Sequence, residues 1–168
     1  MIFAKSPRSA TTEQAKEIVE ATRKYGERSK PISMTAELER LTADRLTPKL
    51  WFSRLCEVLQ KTTLRRPLVV GVFQGQTVDE INRIVAETGV DLVQLHGEET
   101  VADLEAIHAP CIKVLHITPS SGYDGVGESA GESEERLRRE IELFAGKAVA
   151  ILLDSKVPGT TTARSYDG

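Results

Sequence analysis

The run Ala148-Val-Ala-Ile-Leu-Leu-Asp154-Ser155 is apolar until its last two residues, where it meets a carboxylate. A continuous apolar run of this length reads as a strand buried on both faces, the pattern of a parallel sheet covered by helices. Such sheets bind ligands beyond the carboxyl ends of their strands. Asp154 is therefore expected at the mouth of the sheet, where chemistry usually occurs.

Working outward from this strand, helices and strands alternate. Leu137, Ile141 and Phe144 mark the face of a helix just upstream, preceded by a Gly- and Ser-rich loop over 118–131. Cys111-Ile-Lys-Val-Leu-His-Ile117 and Asp91-Leu-Val-Gln-Leu95 read as strands, the second stopped at Gly97, with a short helix lined by Val101, Leu104 and Ile107 between them. Thr77-Val-Asp-Glu80 has the spacing of a capping box ahead of a helix bearing Val78, Ile81, Ile84 and Val85, which Gly89 ends. Leu68–Phe73 is a further strand, and Met1–Ala4 a short first one. Thr11-Thr-Glu-Gln14 caps a helix whose buried face carries Ala15, Ile18, Val19 and Thr22 and which stops near Gly26. A polar loop with Pro31 follows over 27–34. Residues 35–63 are again helical, with Thr47-Pro48 as cap and first turn, and Leu50, Trp51, Leu55 and Leu59 directed to the core.

The resulting order, β-α-β-α-β-α-β-α-β with an extra helical insertion in the first connection, is that of an α/β protein with a parallel sheet. Two architectures fit: an open doubly wound sheet, or part of a closed (β/α)8 barrel, which needs roughly 250 residues. The 168 residues suffice for one domain with a hydrophobic core. At 40% hydrophobic and 28% charged residues with a formal charge of −3, the composition gives no reason to expect nucleic acid or a membrane as partner. Met1-Ile-Phe-Ala lacks the basic region of a signal peptide, and Cys56 and Cys111 have neither metal nor redox spacing, so a reduced, cytoplasmic protein with two free thiols is expected.

The strand ends gather polar residues: Lys5, Ser6 and Arg8; Gln74 and Gln76; Gln94 and His96; His116; and Asp154. In a parallel sheet these lie on one side, forming a pocket for a polar, anionic ligand, with Arg8 suited to a carboxylate. The plainer readings are a solvated Arg8, backbone-bonded histidines and a turn-capping Asp154. Lys5-Ser-Pro-Arg-Ser9 lacks the glycines of a dinucleotide loop, and no His/Cys/carboxylate spacing indicates a metal site.

Four segments together resemble the phosphoribosylanthranilate isomerase family: Met1-Ile-Phe-Ala-Lys-Ser-Pro-Arg-Ser9, Val70-Gly-Val-Phe-Gln74, Val93-Gln-Leu-His-Gly-Glu98, and Leu152-Leu-Asp-Ser155 followed by Pro158-Gly159. The insertion, about 27–66, is similar to that of versions fused into multifunctional fungal tryptophan-biosynthesis proteins. The resemblance implies a partial (β/α)8 barrel over 1–168, about strands two to six, located in the cytoplasm. It implies an Amadori rearrangement of N-(5-phosphoribosyl)anthranilate to 1-(2-carboxyphenylamino)-1-deoxyribulose 5-phosphate, without metal or redox cofactor. Its partners would be the phosphosugar–anthranilate substrate and other tryptophan-pathway domains in the same polypeptide. By motif, Asp154 is the general acid that opens the sugar ring; Arg8, Gln94 and His96 bind substrate, Arg8 through the anthranilate carboxylate.

The chain departs from that family in three places. The general-base cysteine of a Lys-Ile-Cys-Gly motif is missing, Met1 aligning within the second barrel strand. The glycine-rich segment after the acid appears as Pro158-Gly-Thr-Thr-Thr162. The two last barrel strands, with the phosphate loops, have no counterpart. A fragment inactive by itself, poorly soluble because its sheet edges and strand faces are uncovered, is therefore expected. The alternative is a non-catalytic α/β module that binds a small anion near Arg8 and His96.

Overall fold

The computed structural model describes residues 1–25, 34–63, 67–117 and 130–155. Helices α1 (Thr12–Tyr25), α2 (Met34–Ala43) and α3 (Pro48–Thr63) precede strand β1 (Val70–Phe73). Then α4 (Val78–Thr88), β2 (Leu92–Leu95), α5 (Val101–Ala106), β3 (Cys111–Ile117), α6 (Ala130–Phe144) and β4 (Ala150–Ser155) alternate. The loop expected over 118–131 lies outside the described residues except for its last two, which open α6, and the polar loop over 27–34 is outside them but for Met34.

All strand pairs are parallel, and the sheet order is β1-β2-β3-β4. This order separates the two candidate architectures. A doubly wound sheet reverses its winding at a switch point, which scrambles the order and puts helices on both faces. Here each right-handed crossover advances one strand in the same direction, so the crossover helices fall on one face, as in a barrel wall. Side chains from α4, α5 and α6 (Ile81, Leu104, Leu137, Ile141, Phe144) accordingly share one cluster with Phe73, Val93, Leu95, Cys111 and Leu115. Helix α1 joins the same layer, Val19 packing with Val69, Val90 and Val85.

Met1–Ala4 departs from expectation. It forms isolated bridges from Ile2 to Val72 and Ser9, not a full strand. Only Met1–Phe3 precede the bend that begins at Ala4 and leads into the turn at Ser6–Ser9, where the Ser9 amide donates to the Ser6 carbonyl. The segment still continues the parallel order: the Val72 amide donates to the Met1 carbonyl at 2.7 Å and the Phe3 amide to the Val72 carbonyl at 2.8 Å. Phe3 stacks on Phe73 at 5.0 Å above Gly71, where an added Cβ would lie 2.9 Å from the Phe73 ring.

The insertion helices occupy the other face. Leu41, Trp51 and Leu55 are buried against Leu92 and Val149, with Val70, Ile112 and Ala150 at the margin. By strand alternation Val70, Leu92, Ile112 and Ala150 point away from α4–α6, so α2 and α3 cover the amino-terminal half of the face that lines the inside of a barrel. Trp51 fixes this contact by donating its indole Nε1–H to the Ala148 carbonyl at 3.1 Å. Of the four residues expected to point inward, Trp51 and Leu55 do so, Leu59 is half-buried and Leu50 is 43% exposed, one position round the helix from Trp51.

Strand β4 also differs from expectation. Ala148 and Val149 are buried, but Leu152 and Leu153 are 41% and 50% exposed. Among the described residues β4 is an edge strand, paired only with β3, and neither face of its carboxyl half is covered. The apolar run signals that both faces should be covered; the described residues supply cover only at its start.

Candidate functional site

The carboxyl half of the face above α2 and α3 carries the candidate site. Alternation places Gln94 and His96 of the β2 end, Val114 and His116 of β3, and Leu152 and Asp154 of β4 on this face. Register sets the height: His116 is the direct partner of Asp154 across β3–β4. The His96 amide donates to the Phe73 carbonyl at 2.9 Å, extending the β1–β2 ladder and fixing the backbone from which its ring projects.

Three side chains converge. His96 Nε2 lies 3.1 Å from Asp154 Oδ2, and His116 Nδ1 lies 3.9 Å from the same oxygen. The two imidazoles stack at 5.2 Å with 22° between planes. His116 Nε2 faces the His96 carbonyl at 3.4 Å, while its Nδ1 is buried and has no hydrogen-bond partner among the described residues. The rings and the carboxylate are partly exposed, at 28%, 25% and 41% of their side-chain surface, so a ligand can reach them. An imidazole hydrogen-bonded to a carboxylate can hold or pass a proton, which is the requirement for general acid–base work. Asp154 therefore bonds a histidine, and His96 bonds a carboxylate through its ring.

A second group supports the first from behind. Lys113 lies on the helix-covered face, 4% exposed. Its Nζ donates to the Gly97 carbonyl at 2.7 Å and to Glu99 Oε2 at 3.0 Å, and the Gly97 amide donates to the same Glu99 oxygen at 2.9 Å. The ammonium also sits 5.9 Å from the centre of the Phe144 ring. This buried pair clamps Gly97, the residue after His96. Sequence reasoning missed it, although a lysine inside an otherwise apolar strand is a visible signal of a buried ion pair.

The remaining expected residues are placed differently. Gln94 shares the face with His96, half-buried one pleat below it. Arg8 is exposed on the turn after the first segment, outside β1, and its guanidinium makes no ion pair or hydrogen bond among the described residues. Gln76 is spent on structure, its amide nitrogen donating to the Phe3 carbonyl at 2.9 Å. Cys56 and Cys111 are free thiols, as expected. Cys111 lies among the helix-facing core residues at the opposite end of its strand, and burial, with a smaller effect of the Glu99 charge, pushes its pKa up to about 12. The sequence shows no metal-ligand spacing, yet the fold brings His96, His116 and Asp154 to within 4.8 Å of one another.

A family model described as N-(5'phosphoribosyl)anthranilate (PRA) isomerase matches residues 27–160. The chain belongs to this isomerase family. A tryptophan biosynthesis protein of Phytophthora nicotianae is 40% identical over 92% of this chain and 27% of its own length. A multifunctional tryptophan biosynthesis protein of Phycomyces blakesleeanus is 32% identical over 94% of this chain and 18% of its own length. The N-(5'-phosphoribosyl)anthranilate isomerase of Pseudomonas putida is 35% identical over 58% of this chain and 41% of its own. The chain thus spans well under half the length of these curated relatives. The crystal structure of the isomerase from Thermotoga maritima superposes with a TM-score of 0.52 at 20% identity, over 99% of this chain and 55% of that one. That likeness agrees with the barrel-wall winding of the sheet.

Proposed function

We propose that these 168 residues hold the acid half of an active site for the Amadori rearrangement of N-(5-phosphoribosyl)anthranilate to 1-(2-carboxyphenylamino)-1-deoxyribulose 5-phosphate. Asp154 is the general acid. Its proton goes to the furanose ring oxygen as the ring opens, and the carboxylate left behind accepts a hydrogen bond from His96. A general base then removes the C2′ proton. His96 and Gln94 face the sugar from β2, and Arg8 grips the anthranilate carboxylate across the mouth. The observation that carries the reading is the 3.1 Å contact of His96 with Asp154 at the carboxyl end of the sheet, in a chain of the isomerase family.

Neither cysteine supplies the base. Cys111 is on the other face with its thiol held protonated, and Cys56 is on α3 at the far end of the sheet. The 168 residues alone are therefore proposed to be inactive, as one incomplete barrel domain with its insertion at about 27–66. Fusion to other tryptophan-pathway domains is supported by multifunctional relatives many times longer, and a cytoplasmic setting by their biosynthetic roles. No helix among the described residues is long and apolar enough to cross a membrane. A non-catalytic module binding a small anion near Arg8 and His96 would gain nothing from the Asp154 carboxylate, a negative charge 3.1 Å from the His96 ring. Loss of substrate fluorescence in the presence of the isolated chain tests the proposal. No turnover is expected, and robust turnover would show that the 168 residues contain a base.

A further inference from the structure

We propose that His96 Nε2, His116 Nδ1 and Asp154 Oδ2 form a binding site for one divalent transition-metal ion of the zinc type. The three atoms lie within 4.8 Å of one another, and the two ring nitrogens are 3.1 and 3.9 Å from the shared Asp154 oxygen. Ions bound by imidazole and carboxylate at about 2.0–2.2 Å need their ligand atoms about 3.0–3.5 Å apart. His96 and Asp154 meet this already, and a small rotation of the His116 ring brings in the third ligand.

The state of His116 carries the argument further. Its Nε2 lies 3.4 Å from the backbone carbonyl of His96, an acceptor only, so the neutral tautomer that bonds this carbonyl leaves Nδ1 free to ligate. Nδ1 is buried, has no hydrogen-bond partner among the described residues and is turned toward a carboxylate oxygen. Metal-bound histidines characteristically donate their other ring N–H to a backbone carbonyl or carboxylate, which fixes the tautomer in this way. His116 and Asp154 are register partners across β3–β4 and His96 directly follows β2, so the backbone orders the ligands before the ion arrives. Two imidazoles and one carboxylate favour zinc, cobalt or nickel over magnesium or calcium, and the partly exposed mouth leaves coordination positions for water. An ion on Asp154 would displace the proton needed for ring opening; that consequence rests on the isomerase reading, whereas binding does not.

Titration of the untagged 168-residue chain with cobalt(II), followed by visible ligand-field absorption, tests the site. One equivalent should bind and be displaced by zinc. His116→Gln should weaken binding by more than about tenfold, whereas the same change at His108, exposed between α5 and the start of β3, should not. Absence of a saturable band, full binding by His116→Gln, or a thiolate charge-transfer band from Cys56 would overturn the proposal. Should His116→Gln alter the circular dichroism, imidazole nitrogen spectra of the wild-type chain decide: zinc should shift His96 and His116, and a shift confined to His108 would contradict the site.

Discussion

At the residue scale the site depends on groups that do not touch the ligand. Lys113 and Glu99 are 5% and 10% exposed at the side chain and hold Gly97 between them. Removing one member of a buried pair leaves an uncompensated charge, so Glu99→Gln should cost about 3–5 kcal/mol in urea denaturation. Lys113→Met with Glu99→Gln should recover much of that loss; equal stability of the single variant and the parent would contradict the clamp. The thiols give a second check. Cys56 is exposed, whereas Cys111 is buried with its pKa pushed to about 12, so the folded chain should release one thiol equivalent to a disulfide reagent near neutral pH and none after Cys56→Ser. Two equivalents from the folded chain would contradict the packing. Asp154, His96 and His116 were legible as polar residues closing apolar strands. Their convergence was not, because 20 and 38 residues separate neighbouring members and only register brings them together.

At the element scale the best-read helices are those with reciprocal caps. Thr77 with Glu80 and Thr100 with Asp103 form full capping boxes, and the Thr11 and Gln14 pair exchanges the same two bonds at α1. Bonds from the Thr77 backbone N–H and then its hydroxyl hold the Glu80 carboxyl below its ordinary range. The Thr100 hydroxyl and then its N–H do the same for Asp103. With the folded value depressed, protons bind the unfolded chain first as pH falls. The contribution is complete above the ordinary carboxylate range and disappears as pH drops through the folded values. Glu80→Gln should therefore lower the melting temperature at neutral pH and flatten its decline on the acid side, and an unchanged acid slope would contradict the cap. The caps at Thr11 and Thr77 and the 3.6-residue periodicity were visible because they are local, whereas the Thr100 cap, with Asp rather than Glu at its third position, went unread. The docking of α2 and α3 was not, since it depends on which sheet face lacks cover. Trp51 marks that docking, and Trp51→Ala should cost about 3–5 kcal/mol.

At the scale of the whole molecule, sequential parallel order and single-sided crossovers make the chain a section of barrel wall. The apolar signature of β4 and its observed exposure point the same way: Leu152 and Leu153 are sequence written for a covered position. An uncovered edge of this kind favours self-association, so Leu153→Lys should reduce light scattering of the isolated chain. Sequence pattern alone left the open and barrel architectures undivided, because both alternate strands with helices; only strand order distinguishes them. The central claim is that Asp154 is the ring-opening acid of an isomerase site that these residues half supply. Its most direct test is turnover by a chain extended with an upstream βα unit bearing Lys-Ile-Cys-Gly and two downstream βα units, with and without Asp154→Asn. The extended chain should isomerise substrate, and Asp154→Asn should lower kcat by at least about a hundredfold. An Asp154→Asn chain retaining kcat within a few-fold of its parent would contradict the account.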